Sequence, residues 1–421
     1  MQITIHRGID QIGGCITEIT TSSTRIFIDL GQNLPDNEGN INDPLATREA
    51  IAKLTDGVDA ILYTHYHGDH VGLFNYVPKD IPQYIGKVAK EVCICKYTRL
   101  GFIKERKELS AEEVATLESM NPIVGGRSFK VKDIKITPYF VSHSAYESFM
   151  FLIEAEGKRI LHTGDFREHS YLGKGLDSVL DKVGEVDVLI TEGTMLSRAD
   201  APRHEYELQR DFARLMKQYK NLFVISSSTD LERLATIRAA HKESLPKTPF
   251  VTDDFQKQIL TIFTDNLKSE SPLWDFETVY DYRENNEKLI KWMNNEGFTM
   301  LVRCTDKYQD WLDNLLPQLD QNETAVVFSM WGEYINKGGK HAIKSYCDMV
   351  ARFKNVERIH TSGHASAESL VTLCEMTSPR LAIIPIHSER SSNFLNLPIS
   401  EVLKSRVVTK STFVNSLEII I

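Results

Sequence analysis

Several things are scarce in this chain of 421 residues, and each scarcity excludes something. No run approaches the ~20 apolar residues needed to cross a bilayer. The start, Met1 to Gly8, alternates like a strand and lacks the long apolar stretch of a signal peptide. No membrane association and a cytoplasmic location are therefore expected. The six cysteines (Cys15, Cys93, Cys95, Cys304, Cys347, Cys374) form no Cys-x-x-Cys pair and no framework spacing, which points to reduced thiols. Cys93 and Cys95 read as ordinary buried small residues. Basic charge is also short: 49 Lys and Arg against 58 Asp and Glu leave a net charge of −9. A broad basic surface is excluded, so a polyanionic ligand would have to be met by a local groove or by metal ions. There is no low-complexity tract and no visible repeat.

What remains is a globular composition, 42% hydrophobic and 25% charged, in a chain long enough for two domains. Its most informative stretch is Thr64-His65-Tyr66-His67-Gly68-Asp69-His70, which follows the apolar run Ala60 to Tyr63. A buried strand ends there, the chain turns on Gly68, and three imidazoles and a carboxylate are released together. Chance yields such a run in only on the order of one or two per thousand similar chains. Neutral imidazoles with a carboxylate suit zinc, with manganese or iron as substitutes.

The same pattern recurs. A strand over 129–140 leads to His143, and a hairpin over 149–162 leads to Asp165. Val188 to Thr191 leads to Glu192, Arg358 to Thr361 to His364, and Leu381 to Ile386 to His387. Asp29 closes an early strand and reads as a supporting carboxylate, and His162 as structural. Thr47 is placed to cap a helix to Leu54, and Asp69 to Val77 continues as a short helix. From about residue 198 helices and strands alternate, as in a small parallel α/β domain. The first domain is thus read as interrupted and then completed: 1–197, an insertion over 198–357, and a closing segment over 358–421.

Taken together these residues resemble the metallo-β-lactamase superfamily and, within it, the β-CASP nucleases of the ribonuclease J type. His65 to His70 resemble the superfamily signature, His143 its third motif and Asp165 its fourth. Glu192, His364 in Ser-Gly-His-Ala-Ser and His387 in Pro-Ile-His-Ser-Glu resemble the three β-CASP marks. The resemblance implies an α/β fold, a four-layer αββα sandwich with an inserted β-CASP α/β cap. It implies two divalent ions, zinc or alternatively manganese. His65, His67 and His143 would hold one, Asp69, His70 and His387 the other, with Asp165 bridging. The chain departs from ribonuclease J in having Glu192-Gly193-Thr194-Met195 at the first β-CASP mark and Ser388 after His387. It is also expected to lack the extra C-terminal domain of many ribonucleases J.

The activity implied is hydrolysis of RNA phosphodiester bonds by a hydroxide activated between two metals, in an exo- or endonucleolytic mode sensitive to the 5′ end. Asp69 or Asp165 would orient the hydroxide, and His364 would act as general acid or phosphate contact, its tautomer fixed by Glu192. A 5′-phosphate pocket is expected from two turns at helix starts: Ser227, Ser228 and Thr229 with Arg233, and Ser362, Gly363, Ala365 and Ser366. Simple capping by Thr229 accounts for the first turn equally well, and capping by Ser366 accounts for the second less well. Trp331 reads as a core residue before a base platform. Single-stranded RNA is the expected partner, with DNA as the alternative, and a homo-oligomer is compatible. Competing readings are a β-CASP DNA nuclease, a small-molecule metallohydrolase, or a metal-free nucleic-acid-binding scaffold.

Overall fold

The computed structural model describes residues 1–36, 38–198, 201–283, 286–409 and 417–421. Three sheets carry the fold. In the first, strands run in the order 417–420, 2–7, 16–20, 25–28, 60–62, 83–86 and 121–123. The second has the order 382–386, 188–192, 158–162, 148–155, 134–141 and 129–131.

Period-two alternation puts these two sheets face to face. Ile26, Ile28, Ala60 and Leu62 of the first sheet pack in one apolar cluster with Phe149, Phe151, Ile153, Ile160, Ile190 and Ile384 of the second. The intervening residues point outwards. Phe27, Ile61 and Tyr63 meet the helices Arg48–Leu54, Lys87–Leu100 and Lys107–Ser119. On the other side Met150, Leu152, Leu161, Leu189 and Ile383 meet the helices Leu176–Val183 and Ala367–Thr377. The result is the four-layer αββα order.

After Glu192 the chain leaves the second sheet, and it returns beside the same strand at Ala382, in parallel register. Between them lies the third sheet, with strands 280–281, 250–252, 298–302, 221–225, 324–328 and 355–358 in that order. Its neighbours all pair in parallel, and its four central strands are buried along their length. Helices on both faces give these strands their near-continuous apolar character. Helices Glu205–Gln218, Leu231–Ser244 and Asp254–Leu267 share an apolar cluster with the helices outside the first sheet.

Some local expectations are corrected. The strand over 129–140 is a hairpin, Phe129–Val131 and Ile134–Val141, turning at Lys132 with φ +48°. The helix over 69–77 breaks at Gly72 into Gly68–Val71 and a 3₁₀ turn Phe74–Tyr76. The strand before His364 is Asn355–Arg358, three residues earlier than its expected end. Thr47 caps its helix through Ala50 N–H, as expected.

Buried charge ties the third-sheet region to the second sheet. Arg167 is 1% exposed and reaches Asp230 Oδ1 at 3.1 Å and Glu205 Oε1 at 3.5 Å. Ser142 donates a hydrogen bond to Glu232. Arg233, also 1% exposed, binds Glu205 at 2.9 Å and donates to Ser329 Oγ at 2.7 Å. Removing one partner of such a pair strands the other charge without solvent. Arg233→Ala is expected to lose about 3–5 kcal/mol of unfolding free energy by chemical denaturation. A loss under ~1 kcal/mol, the value of an exposed pair, would contradict the burial.

Candidate metal centre

Strands 134–141, 158–162, 188–192 and 382–386 run in one direction, so their C-terminal ends share one edge of the second sheet. His143, Asp165, Glu192 and His387 sit at those ends. The 60–62 strand of the first sheet, parallel to 25–28, brings Asp29 and His65 to the facing edge. Close approach is required of two glycines. Gly164 has φ +53°, and a Cβ there would lie 2.8 Å from Thr64 Cβ. A Cβ on Gly31 would lie 1.8 Å from Asp69 O.

Two groups of donors face each other. His67 Nδ1 is 3.1 Å from both His65 Nε2 and His143 Nε2. Nitrogens about 2.0–2.1 Å from a tetrahedral zinc lie about 3.3 Å apart, close to this spacing. Asp165 stands between the groups: its Oδ2 is 3.2 Å from His70 Nε2, 3.6 Å from His387 Nε2 and 3.9 Å from His143 Nε2. Burial pushes His65 and His143 well below the usual imidazole pKa, and His67 to about 4, which keeps all three neutral and able to ligate. Burial alone would raise Asp165, but His387 and His70 hold its carboxyl well below the usual range.

The far ring nitrogens of His65, His70, His143 and His387 are held. Asp29 Oδ2 accepts from His70 Nδ1 at 2.8 Å, and Gly363 O from His143 Nδ1 at 2.5 Å. Thr194 Oγ1 lies 2.7 Å from His387 Nδ1 and donates its own proton to His387 O, so it accepts from the ring. Thr64 Oγ1 donates to Asp29 and lies 3.0 Å from His65 Nδ1. These bonds leave Nε2 lone pairs turned into the cluster, the usual arrangement around ligating histidines. His70 Nε2 is buried and faces Asp165 Oδ2 at 3.2 Å without hydrogen-bond geometry, an arrangement that suits a cation shared between them. Burial lowers the His70 and His387 pKa values, but the facing acidic groups, Asp165 foremost, together outweigh it and raise both, so a cation there takes the place of a proton. With three neutral imidazoles opposite and buried carboxylates, the donor set fits divalent zinc or manganese.

Six of the seven expected ligands fall into groups of three or more donors within 4.8 Å of one another. Asp69 does not; it sits at the rim, with Oδ2 3.2 Å from His387 Nε2. His364 Nδ1 is 2.9 Å from Glu192 Oε2 and 3.5 Å from Asp165, and its ring stacks on His387 at 5.2 Å. The other oxygen of Glu192 accepts from Phe166 N–H and Ala365 N–H. His162 is structural here: it accepts from Gly164 N–H and faces Thr17 Oγ1, and burial lowers it to about 4.

The phosphate pocket fares differently. Arg233 is not available to a phosphate, because it is buried and neutralised by Glu205. Asp230, not Thr229, caps the following helix. Ser362 Oγ accepts from His364 N–H, Ala365 N–H is spent on Glu192, and Ser366 caps its helix while donating to Glu168. Ser227 and Ser228 remain at a part-exposed turn, where Ser228 O accepts from Gln256 Nε2 at 2.8 Å. Trp331 is part-exposed instead of core, with the Arg198 guanidinium 4.3 Å above its ring. Sequence reasoning missed Thr194 and Arg167, which carry no distinctive spacing and matter only through partners far along the chain.

Residues 24–216 match the family model of the β-lactamase superfamily domain, and residues 350–394 match the Zn-dependent metallo-hydrolase RNA specificity domain. The chain carries a metallo-β-lactamase superfamily domain. Curated relatives include ribonuclease J of Mycoplasma genitalium, 22% identical over 91% of this chain and 67% of that relative. Ribonuclease J of Helicobacter pylori is 24% identical over 92% of this chain and 56% of that relative. The chain thus spans between about half and two thirds of the length of these two relatives. A solved structure, a protein of unknown function from Enterococcus faecalis, shares the fold with TM-score 0.76 and 19% identity, over 100% of this chain and 99% of the other. The superfamily domain contains every donor from His65 to Glu192, and the specificity domain contains His364 and His387.

Metal held by these donors is expected to be lost in His65→Ala, measured by atomic absorption after desalting. Thr194→Val, which removes only the acceptor behind His387, is expected to weaken affinity about 10–100-fold. Unchanged metal content in both variants would contradict the donor assignment.

Proposed function

We propose that this chain is a metal-dependent ribonuclease, hydrolysing phosphodiester bonds of single-stranded RNA. His65, His67 and His143 form one metal group, His70 and His387 the other, and Asp165 is shared between them. Asp69 is at the rim, where it can orient a water molecule. The observation that carries the reading is the His364–Glu192 pair. An imidazole from the turn after the third sheet enters a donor cluster built by the other two sheets, 3.5 Å from Asp165. The match of residues 350–394 to an RNA specificity domain supports the choice of RNA, as do the ribonuclease J relatives. We take residues 198–357 as the cap that closes over the cleft.

Bound divalent ions supply Lewis-acid charge at the phosphorus and bring water within reach of ionisation near neutral pH. The chain's own residues do the rest. Glu192 accepts from His364 Nδ1, which fixes the tautomer and turns the remaining ring nitrogen away from the carboxylate. From there His364 can hand a proton to the leaving oxygen or contact the phosphate. Asp29, Thr194 and Gly363 hold the ligand rings still, so little reorganisation accompanies the reaction.

His364→Ala is expected to retain metal and lose about 10²–10⁴-fold in turnover, the range for a general acid. Single-stranded RNA and DNA of one sequence, labelled at the 5′ end, provide the test of the function itself. RNA is expected to be cut and a chelator to stop it; mononucleotide released first indicates 5′ exonuclease action and internal fragments an endonuclease. Inert RNA with intact metal would overturn the proposal, and DNA cleaved in its place would replace RNA as substrate.

A further inference from the structure

Of the six cysteines, Cys93 and Cys374 lie within apolar clusters of the described residues, as structural thiols do. Cys15 belongs to no such cluster. It is 1% exposed, and its Sγ lies within 4.8 Å of a ring nitrogen of His70 and a ring nitrogen of His387. Backbone bonds hold it there. Cys15 N–H donates to Asp69 O at 3.0 Å, and its carbonyl accepts from Gly31 N–H at 2.9 Å. On its other side Gly8, whose carbonyl accepts from His387 N–H at 2.7 Å, leaves room for the sulfur: a Cβ there would come within 3.3 Å of Sγ. A second observation points the same way. His70 Nε2 is buried without a hydrogen bond of good geometry, although Asp165 Oδ2 is 3.2 Å away, and a ring nitrogen of His70 belongs to the same donor group as the thiol.

We propose that Cys15 is a sulfur donor to the metal group of His70 and His387, a third side chain of different chemistry from the histidine trio opposite. The inference rests on the reading that this group holds a divalent ion. As the sulfur–metal bond forms, the thiol proton leaves to solvent and the ligand is the thiolate, with no oxidation and no other bond changed. A thiolate is a soft donor, so its consequence is selectivity: this position favours zinc over manganese, whereas an all-nitrogen and oxygen set discriminates less.

Cobalt reports sulfur ligation directly. Metal-free protein reloaded with Co²⁺ is expected to show visible d–d bands together with an intense near-ultraviolet sulfur-to-cobalt charge-transfer band. The second band is expected to vanish in Cys15→Ser and Cys15→Ala and to persist in Cys93→Ser, with circular dichroism confirming the fold of each. Zinc affinity is expected to fall about 10–100-fold in the Cys15 variants while manganese affinity changes little. Visible bands without a sulfur band, or a sulfur band that survives both Cys15 variants, overturn this inference alone. A folded chain that takes up no cobalt overturns the metal reading and this inference with it.

Discussion

Buried imidazoles can converge only if each has somewhere fixed to put its other nitrogen, and that constraint organises this protein. Asp29, Thr194 and Gly363 provide the fixed partners for His70, His387 and His143. They come from the first sheet, the turn after the second sheet's 188–192 strand, and the turn after the third sheet. The cluster therefore requires all three sheets in register. His387 sits at φ +48°, an uncommon conformation for a residue with a side chain, with its N–H held by Gly8 O. Its ring reaches the cluster only because the backbone is held in this way.

The second constraint is electrostatic. Arg167 stands two residues after Asp165, yet its charge is balanced by Asp230 and Glu205 of the third-sheet region. Tyr66, between two of the signature histidines, donates to Thr229 O and accepts from Tyr146 N–H. His169 faces Ser362 O at 2.8 Å, in the turn that delivers His364. The donor cluster and the region above it are thus fastened to each other at the same places that hold the chemistry. Buried ion pairs contribute little net stability but penalise misplacement strongly, which suits a connection whose position matters more than its strength.

How much of this was legible in the sequence depended on range. The ligand run from His65 to His70 is local, and its strand and turn follow from the apolar run before it and Gly68 within it. The recurring sequence of strand and then histidine or acid located His143, Asp165, Glu192, His364 and His387, whereas the apolar run Ile26 to Ile28 leaves its faces unassigned until the packing shows them. Partners across the chain were not legible. Arg233 reads as a helix-start cation suited to phosphate, and only its burial against Glu205, 28 positions earlier, removes it. Cys15 reads only as one of six reduced thiols until the return of the chain at His387 places an imidazole beside it. Thr194 looks like one polar residue among many until it is seen behind the His387 ring.

The account stands most directly on metal content. Protein purified without added metal and dialysed free of adventitious ions is expected to carry about two equivalents of divalent ion per chain by plasma emission, one for each donor group. A folded chain that carries none, and takes up none when zinc or manganese is supplied, would contradict it.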